Sequence, residues 1–557
     1  MNRLLSFVFF LCLGLSMQVT AVTYQGQLED SSGPFTGTVP MLFSLYEAPE
    51  DGEPIAMFDA GSVNVVGGLF QVDLEFGGVF DGRTFWLEIV VDGSTLNQRQ
   101  RISAVPQAHH AATTPAYCQS GGPLIGMRDD GKPLCGLDGV VSVSASFEHA
   151  CAALDDGSAW CWGSTNDGRL GNGEGIEDNT GPYPGGVRVR VDNRGTDGGP
   201  LLDVVQVTTG ENFSCARDAI GQIWCWGYNN RGQLGIGSTS LPLRLSRAAK
   251  TLLSNGEPLA DAVHVVAGSE HACAIRENGS LWCWGDNSDG QLGIGSTESQ
   301  PRAQPVIDER DRQLQGVSGA SASRDHTCAF NNSGSAWCWG FGSSGQLGNG
   351  KSGSTSRASP VLAAEDQPLE GVAGIAAQGS ASCALINPGA DGRIYCWGSA
   401  SGGILGNGEN ADIRLFPVQV HIDDQGDDGG PLVGARGIAE APSFPSGSGH
   451  LCAIRDNGSV WCWGRGTSGE LGDGESSDRT RAVQARLGRG GRDAGPLTGI
   501  SQVSVGRGMS CAVSDAGSAW CWGGNSTGEL GIGWVTGGSL SRIPRATPVT
   551  RYVAHDE

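Results

Sequence analysis

Fourteen of the 17 cysteines fall into seven pairs that recur down the chain, and this spacing constrains the fold more than any other feature. The pairs are Cys151/Cys161, Cys215/Cys225, Cys273/Cys283, Cys328/Cys338, Cys383/Cys396, Cys452/Cys462 and Cys511/Cys521; six are ten residues apart and the fifth is thirteen apart. Each brackets a turn, as in Cys273-Ala-Ile-Arg-Glu-Asn-Gly-Ser-Leu-Trp-Cys283. With Glu277-Asn278-Gly279 as a three-residue hairpin loop and glycine in its left-handed position, Arg276 faces Ser280 and Cys273 falls opposite Cys283. Opposed residues of an antiparallel pair lie about 4.5 to 5.5 Å apart at Cα, which a disulfide tolerates. The wider pair follows the same count. Its three additional residues sit in the turn 387–392, so that Cys383 still precedes Ala-Leu-Ile and Cys396 still follows Arg-Ile-Tyr; a loop has grown without slipping the strands. Zinc is the rival reading of paired cysteines, but the spacing is wrong for it and no second ligand pair repeats alongside. Disulfides are expected, each contributing about 2 to 3 kcal/mol by closing a small loop.

Around every hairpin the order is constant. An alternating strand such as Asp203-Val-Val-Gln-Val-Thr-Thr-Gly210 leads into the cysteine hairpin, then a Trp-Cys-Trp-Gly segment, a Gly-x-Leu-Gly-x-Gly turn and a Pro-Val strand such as Pro305-Val306. The glycine turn stands at 168–173, 232–237, 290–295, 345–350, 403–408, 469–474 and 528–533. Four short strands per unit, repeated seven times at intervals of 55 to 69 residues, predict an all-β, seven-bladed β-propeller over 138–553. Because each unit buries its faces only against its neighbours, the array should close into a ring.

These residues resemble the regulator of chromosome condensation repeat family. The resemblance is carried by His271-Ala-Cys273-Ala274, Asn278-Gly279, Trp284-Gly285 and Gly290-Gln-Leu-Gly293, with their counterparts over about three quarters of the chain. It implies a seven-bladed propeller. The paired cysteines and the acidity depart from the nuclear type and look like secreted bacterial members. The family's best-known activity, guanine nucleotide exchange on a small nuclear GTPase, needs a partner that an exported chain would not meet.

Several repeated positions invite functional readings. The two tryptophans of Trp282-Cys283-Trp284 flank the cysteine and so share the face opposite the disulfide. Aromatic stripes can hold sugars, but at one position in every blade they are expected to be packing between blades. His149, His271, His326 and His450 each stand two residues before a hairpin cysteine, and Phe213, Ala381 and Met509 take that place elsewhere; a repeated hydrogen-bonding role fits better than a catalytic base. The glycine turns lack the Lys-Ser/Thr of a nucleotide loop. The acidic stretches 192–199 and 423–429 lack the full calcium ligand order and read as solvated turns.

The chain begins with a segment of leader type. Arg3, an apolar run over 4–15 and small residues at 19–21 fit a signal peptide over 1–21. Residues 22–112 alternate in strand fashion at 41–46, 69–74 and 85–91, separated by Gly- and Asp-rich turns, and predict a small β-sandwich ahead of the propeller. Tyr24-Gln-Gly-Gln-Leu28 and Arg99-Gln-Arg-Ile-Ser-Ala-Val-Pro106 resemble an N-terminal module of exported bacterial and tail-fibre-like proteins. A glycine-rich linker spans 113–137, where Cys118 and Cys135 should bridge each other by elimination, and 554–557 form a tail.

Acids outnumber bases 59 to 36 and the net charge is −23, which speaks against nucleic acid and anionic membrane surfaces. No apolar run after the leader reaches the roughly 18 residues of a membrane helix. The reading is therefore a monomeric, secreted, periplasmic or cell-surface scaffold without cofactor or metal. It would bind a protein or a cell-surface glycan across one end of the ring. A secreted carbohydrate-active or lyase-type enzyme is the alternative, although no nucleophile, base and orienter group together in departures from the repeat. In a four-strand meander the first and third connections share an end. The irregular segments 174–186 and 441–449 both lie there, and Glu174, Asp178, Tyr183, Phe444 and Ser446 mark the expected partner face.

Overall fold

The computed structural model describes residues 5–7, 22–30, 33–46, 48, 52–65, 69–74, 84–95, 99–103, 124–127, 133–174, 182–193, 196–239, 242–424, 427–439, 449–489, 492–532 and 542–551. The chain divides into two units, 1–117 and 118–557. Cys118 and the side chain of Cys135 lie outside the described residues, as do Asp178, Phe444 and Ser446 and nearly all of the leader-like segment.

The first unit is a small β-sandwich. In one sheet Val22–Asp30 pairs with Leu69–Leu74, Gly33–Pro34 and Leu5–Phe7. In the other, Gly37–Tyr46 lies between Ala56–Val65 and Thr84–Val91, and Thr84–Val91 also pairs with Gln100–Ser103. Alternation sends Val39, Met41, Phe43 and Leu45 inward together with Leu87, Ile89 and Val91, and Leu28 and Val72 of the first sheet close the core over them.

The second unit is the propeller. Each blade is a four-stranded antiparallel meander drawn from one repeat; the third is Ala262–Ala267, His271–Arg276, Leu281–Gly285 and Gln300–Pro305. The second and third strands register on the cysteines in all seven blades, including Cys383 opposite Cys396. The seven expected disulfides are all formed: Cys151–Cys161, Cys215–Cys225, Cys273–Cys283, Cys328–Cys338, Cys383–Cys396, Cys452–Cys462 and Cys511–Cys521. One detail is corrected. The Cα atoms lie 4.0 to 4.1 Å apart in every pair, Cys328–Cys338 and Cys452–Cys462 at 4.1 Å among them. That is closer than the general spacing of an antiparallel pair, because the short covalent link draws the two strands together at each bridge. The long turn of the fifth blade leaves Ile386 opposite Arg393 and the register intact.

The two sides of the Trp-Cys-Trp strand explain each other. The second tryptophan of every blade is fully buried, and it packs against the disulfide of the preceding blade. Trp226 lies on Cys151–Cys161, Trp284 on Cys215–Cys225, Trp339 on Cys273–Cys283 and Trp397 on Cys328–Cys338. Trp463 lies on Cys383–Cys396, Trp522 on Cys452–Cys462, and Trp162 completes the circle on Cys511–Cys521. The indole Nε1 donates to a backbone carbonyl in the glycine turn of that preceding blade, as from Trp284 to Gln233 O (2.9 Å) and from Trp162 to Glu529 O (2.9 Å). Glycine is required beside that contact. Gly293 has φ +70°, and a Cβ there would stand 2.6 Å from Nε1 of Trp339.

Inner strands place an unpaired edge beside the next blade, and side chains satisfy it. Val265 N–H donates to Gln206 Oε1 (3.1 Å), Ala267 N–H to Thr208 Oγ1 (3.0 Å) and Ala145 N–H to Ser504 Oγ (3.0 Å). The last example joins the seventh blade to the first. The ring thus closes through the same kind of contact that joins the first blade to the second and the second to the third, rather than by a strand exchanged between repeats.

The connections between blades are more ordered than their composition suggested. The acidic stretch at 192–199 lies in a hairpin of Arg190–Asn193 with Thr196–Pro200, in which Arg190 pairs with Asp197. Val191 bridges in parallel to Ala248 on the outer strand of the next blade. Equivalent bridges join Leu253 to Ala303, Asp308 to Ala358, Ile422 to Ala482 and Leu487 to Ala546, and Arg551 meets Gly186 across the seam.

Candidate functional site

At one end of the ring the first and third connections of every blade are held together by one backbone bond. The carbonyl preceding the histidine position accepts an N–H from the third connection: Ser164 to Glu148 (2.7 Å), Tyr228 to Asn212 (2.9 Å), Asp286 to Glu270 (2.9 Å), Phe341 to Asp325 (2.7 Å), Ser399 to Ser380 (2.9 Å), Arg465 to Gly449 (2.9 Å) and Gly524 to Gly508 (2.7 Å). A glycine ends the third strand to permit this approach. Gly285 has φ +103°, and a Cβ there would lie 2.5 Å from Glu270 O.

The backbone is sevenfold at this end but the side chains are not. Glu148, Glu211, Glu270 and Asp325 place a carboxylate in the first connection of blades one to four, while the corresponding residues of blades five and seven are Gly379-Ser380 and Arg507-Gly508. Burial raises Glu211, and burial with Asp286 alongside raises Glu270. Asp289 is raised by burial with Asp286 beside it, and burial pushes Asp325 up to about 6. Cations are interleaved. Arg169, almost wholly buried, holds Glu148 (3.3 Å) and Asp167 (3.4 Å), Arg231 lies 3.7 Å from both Glu270 and Asp286, and Arg324 pairs with Asp325 (3.1 Å). Arg507 stacks over Phe147 across the seam, 4.4 Å from the ring centroid.

Of the residues marked from sequence, Glu174 and Tyr183 are described: Glu174 is exposed in the third connection of blade one and accepts the hydroxyl of half-buried Tyr183, which opens the fourth strand (Tyr183–Arg188) rather than lying in a connection that runs over 174–186. The carboxylates of the first connections were not singled out. Their signal was the one or two residues before each histidine position, which vary while their neighbours repeat.

The repeated histidines bind across blades. His149, His271, His326 and His450 are almost wholly buried, and each Nε2 bonds the hydroxyl that precedes the next blade's cysteine, namely Ser214 (2.9 Å), Thr327 (2.8 Å), Ser382 (2.8 Å) and Ser510 (2.6 Å). Those hydroxyls donate to the glycine-turn carbonyls, as Thr327 does to Gln291 O (2.8 Å). Burial lowers His271 to about 4 and His326 and His450 to about 3. They are neutral structural groups at pH 7.

Inside the same turns Glu470 and Glu529 stand where other blades have glutamine. Gln291 and Gln346 occupy this position in blades three and four, each accepting a backbone N–H through Oε1. Glu470 Oε2 accepts Ser468 N–H (2.6 Å), but its fully buried Oε1 has no hydrogen-bond partner, and Arg465 Nε stands 3.9 Å away. Burial raises this carboxyl to about 7. Because the folded value lies above the ordinary one, its stabilising effect is complete below about pH 4.5 and is lost as pH rises through 7. Glu470→Gln is expected to raise the unfolding free energy measured in urea at pH 8 by roughly 2 kcal/mol, and to leave it nearly unchanged at pH 4.5. Comparing variant with wild type at each pH removes the opposing contribution of the histidines.

The family models match this architecture. The regulator of chromosome condensation (RCC1) repeat matches at 156–217, 221–275, 278–330 and 333–385, and a second model of the repeat at 140–169, 204–233, 262–291 and 446–470. Over 140–385 and 446–470 the chain matches regulator of chromosome condensation repeats. Residues 23–100 match a domain of unknown function (DUF8740). The ultraviolet-B receptor UVR8 of Arabidopsis thaliana is 26% identical over 423 residues, which cover 74% of this chain and 82% of the receptor. The human E3 ubiquitin-protein ligase HERC2 is 28% identical over 60% of this chain, but the match spans only 6% of the ligase. Among solved structures, yeast RCC1 (Prp20) bound to Kap60 is 18% identical, with a TM-score of 0.53 over 81% of this chain and 91% of that one, a likeness of fold.

Proposed function

We propose that this repeat protein is an exported binding scaffold that holds a macromolecular partner, a protein, across the ring end formed by the first and third connections. The observation that carries this reading is the break in symmetry there: a sevenfold backbone presents carboxylates in four adjacent blades. A sevenfold structural need would place the same residue in every blade. Partly desolvated carboxylates beside arginines suit a partner surface with complementary charge, and such pairs set orientation and association rate. Yeast RCC1, of the same fold, is itself seen bound to a protein. Export is supported by the leader-like residues 1–21 and by seven disulfides, which persist in oxidising compartments. The medium, the periplasm and the cell surface all meet that condition.

The test is affinity capture on the immobilised full chain from envelope and culture-medium fractions of the source organism, with bound species identified by mass. A protein retained by the wild type should be lost by at least tenfold from a chain carrying Glu148→Gln, Glu211→Gln, Glu270→Gln and Asp325→Asn. Retention unchanged by all four substitutions contradicts the assignment of this face. N-terminal sequencing of the exported chain should start near residue 22.

A further inference from the structure

The rim of the fifth blade carries a second departure from the repeat, on the opposite end of the ring. There the outer strands of the blade and the link from the preceding blade frame a groove of about 630 Å³, walled by Leu369, Ile386, Tyr395 and Pro417 with Asp366 and Glu370 at its edge. Its origin is local. Tyr395 stands where the other six blades have the first tryptophan of Trp-Cys-Trp, and the turn beside it is three residues longer.

Three other blades show what this aromatic position attracts. Arg276 lies over Trp282 (5.5 Å), Arg455 over Trp461 (5.6 Å) and Lys250 over Trp224 (5.0 Å). By register, the place of Arg276 and Arg455 is taken in the fifth blade by Ile386, and that of Lys250 by Gln419. Tyr395 therefore lacks the cation that three of the other blades hold over this position. Arg393, two residues earlier on the same strand, is exposed and contacts neither the ring nor the carboxylates. Asp366 and Glu370 are exposed and form no ion pair among the described residues.

We infer that this groove takes an arginine or lysine side chain of a partner polypeptide, which completes over Tyr395 the cation–aromatic contact that other blades make internally, with Asp366 and Glu370 balancing its charge. A cation over an aromatic face gains about 0.5 to 1 kcal/mol at an exposed site and more as water is excluded. The two free carboxylates add long-range attraction.

The experiment titrates the full chain with a capped tetra-arginine peptide, a capped neutral peptide of equal length and maltotetraose, following binding by calorimetry at low salt. Asp366→Asn with Glu370→Gln should weaken the arginine peptide by roughly tenfold. Ile386→Arg, which supplies the missing cation from within, should do the same while keeping the thermal midpoint of the wild type. Equal affinity in wild type and both variants overturns the inference, as does preference for the neutral peptide or the glycan. Loss of peptide binding only in the Glu148, Glu211, Glu270 and Asp325 variant also overturns it, while leaving the proposed function of the other end intact.

Discussion

Trp284→Ala is expected to destabilise the propeller by roughly 3 to 5 kcal/mol, the range for emptying a large aromatic site in a core. The ring is fully buried against Cys215–Cys225, Phe213 and Leu234 of the preceding blade, and its Nε1 satisfies Gln233 O. Truncation therefore opens a cavity between blades and orphans a buried carbonyl. Trp282→Ala, on the same strand, should cost markedly less. That ring is half-buried at the rim and its Nε1 bonds Ser280 Oγ in its own turn (3.0 Å). Urea unfolding of the two variants side by side measures the difference. Equal losses would contradict the assignment of the second tryptophan as the joint between blades.

Opening the disulfides should have a larger effect still. Each closes a short hairpin, worth about 2 to 3 kcal/mol by restriction of the unfolded chain, and each sulfur pair is also the surface on which the next tryptophan packs. Reduction in mild denaturant, followed by blocking of the thiols and return to buffer, should leave a chain without cooperative unfolding at 37 °C. Because the bridges are fully buried, reductant alone in buffer should act slowly, at the rate at which blades open. A reduced and blocked chain that regains the wild-type midpoint would show that the bridges are incidental to the ring. Single-pair variants such as Cys273→Ala with Cys283→Ala should lose only part of the midpoint, since six bridges remain.

Much of this was legible in the sequence, for a physical reason. Cross-strand pairing counted outward from a turn is local information, so the residues between Cys273 and Cys283 fix their own register, and the longer turn before Cys396 can be absorbed by the same count. The direction of the tryptophans follows from alternation alone, but what they meet does not. That Trp284 rests on the disulfide of another blade is a contact between residues some 60 positions apart, of which neither segment carries a sign. Closure by Ser504 on Ala145 was hidden in the same way. The rim hairpins were read as acidic turns because Asp and Gly dominate them; pairing of Arg190–Asn193 with Thr196–Pro200 prevailed over composition.

The candidate site was legible by its end of the ring but not by its residues. Meander geometry placed Glu174 and Tyr183 at the end that carries the first and third connections. Glu148, Glu270 and Asp325 carry no sign in the repeat pattern, because they occupy a position whose residue type changes from blade to blade. Glu470 carries none for a related reason: glutamate and glutamine fill the same space, and only the empty surroundings of Oε1 distinguish them.

Proteolysis of the unreduced chain with free thiols blocked, followed by mass mapping of the linked peptides, tests the central claim most directly. Seven bridges, each between the second and third strands of a single blade and including Cys328 with Cys338, Cys383 with Cys396 and Cys452 with Cys462, are predicted. Free thiols at these positions, or links between different repeats, would contradict both the stapled blade and the way each blade supports the next.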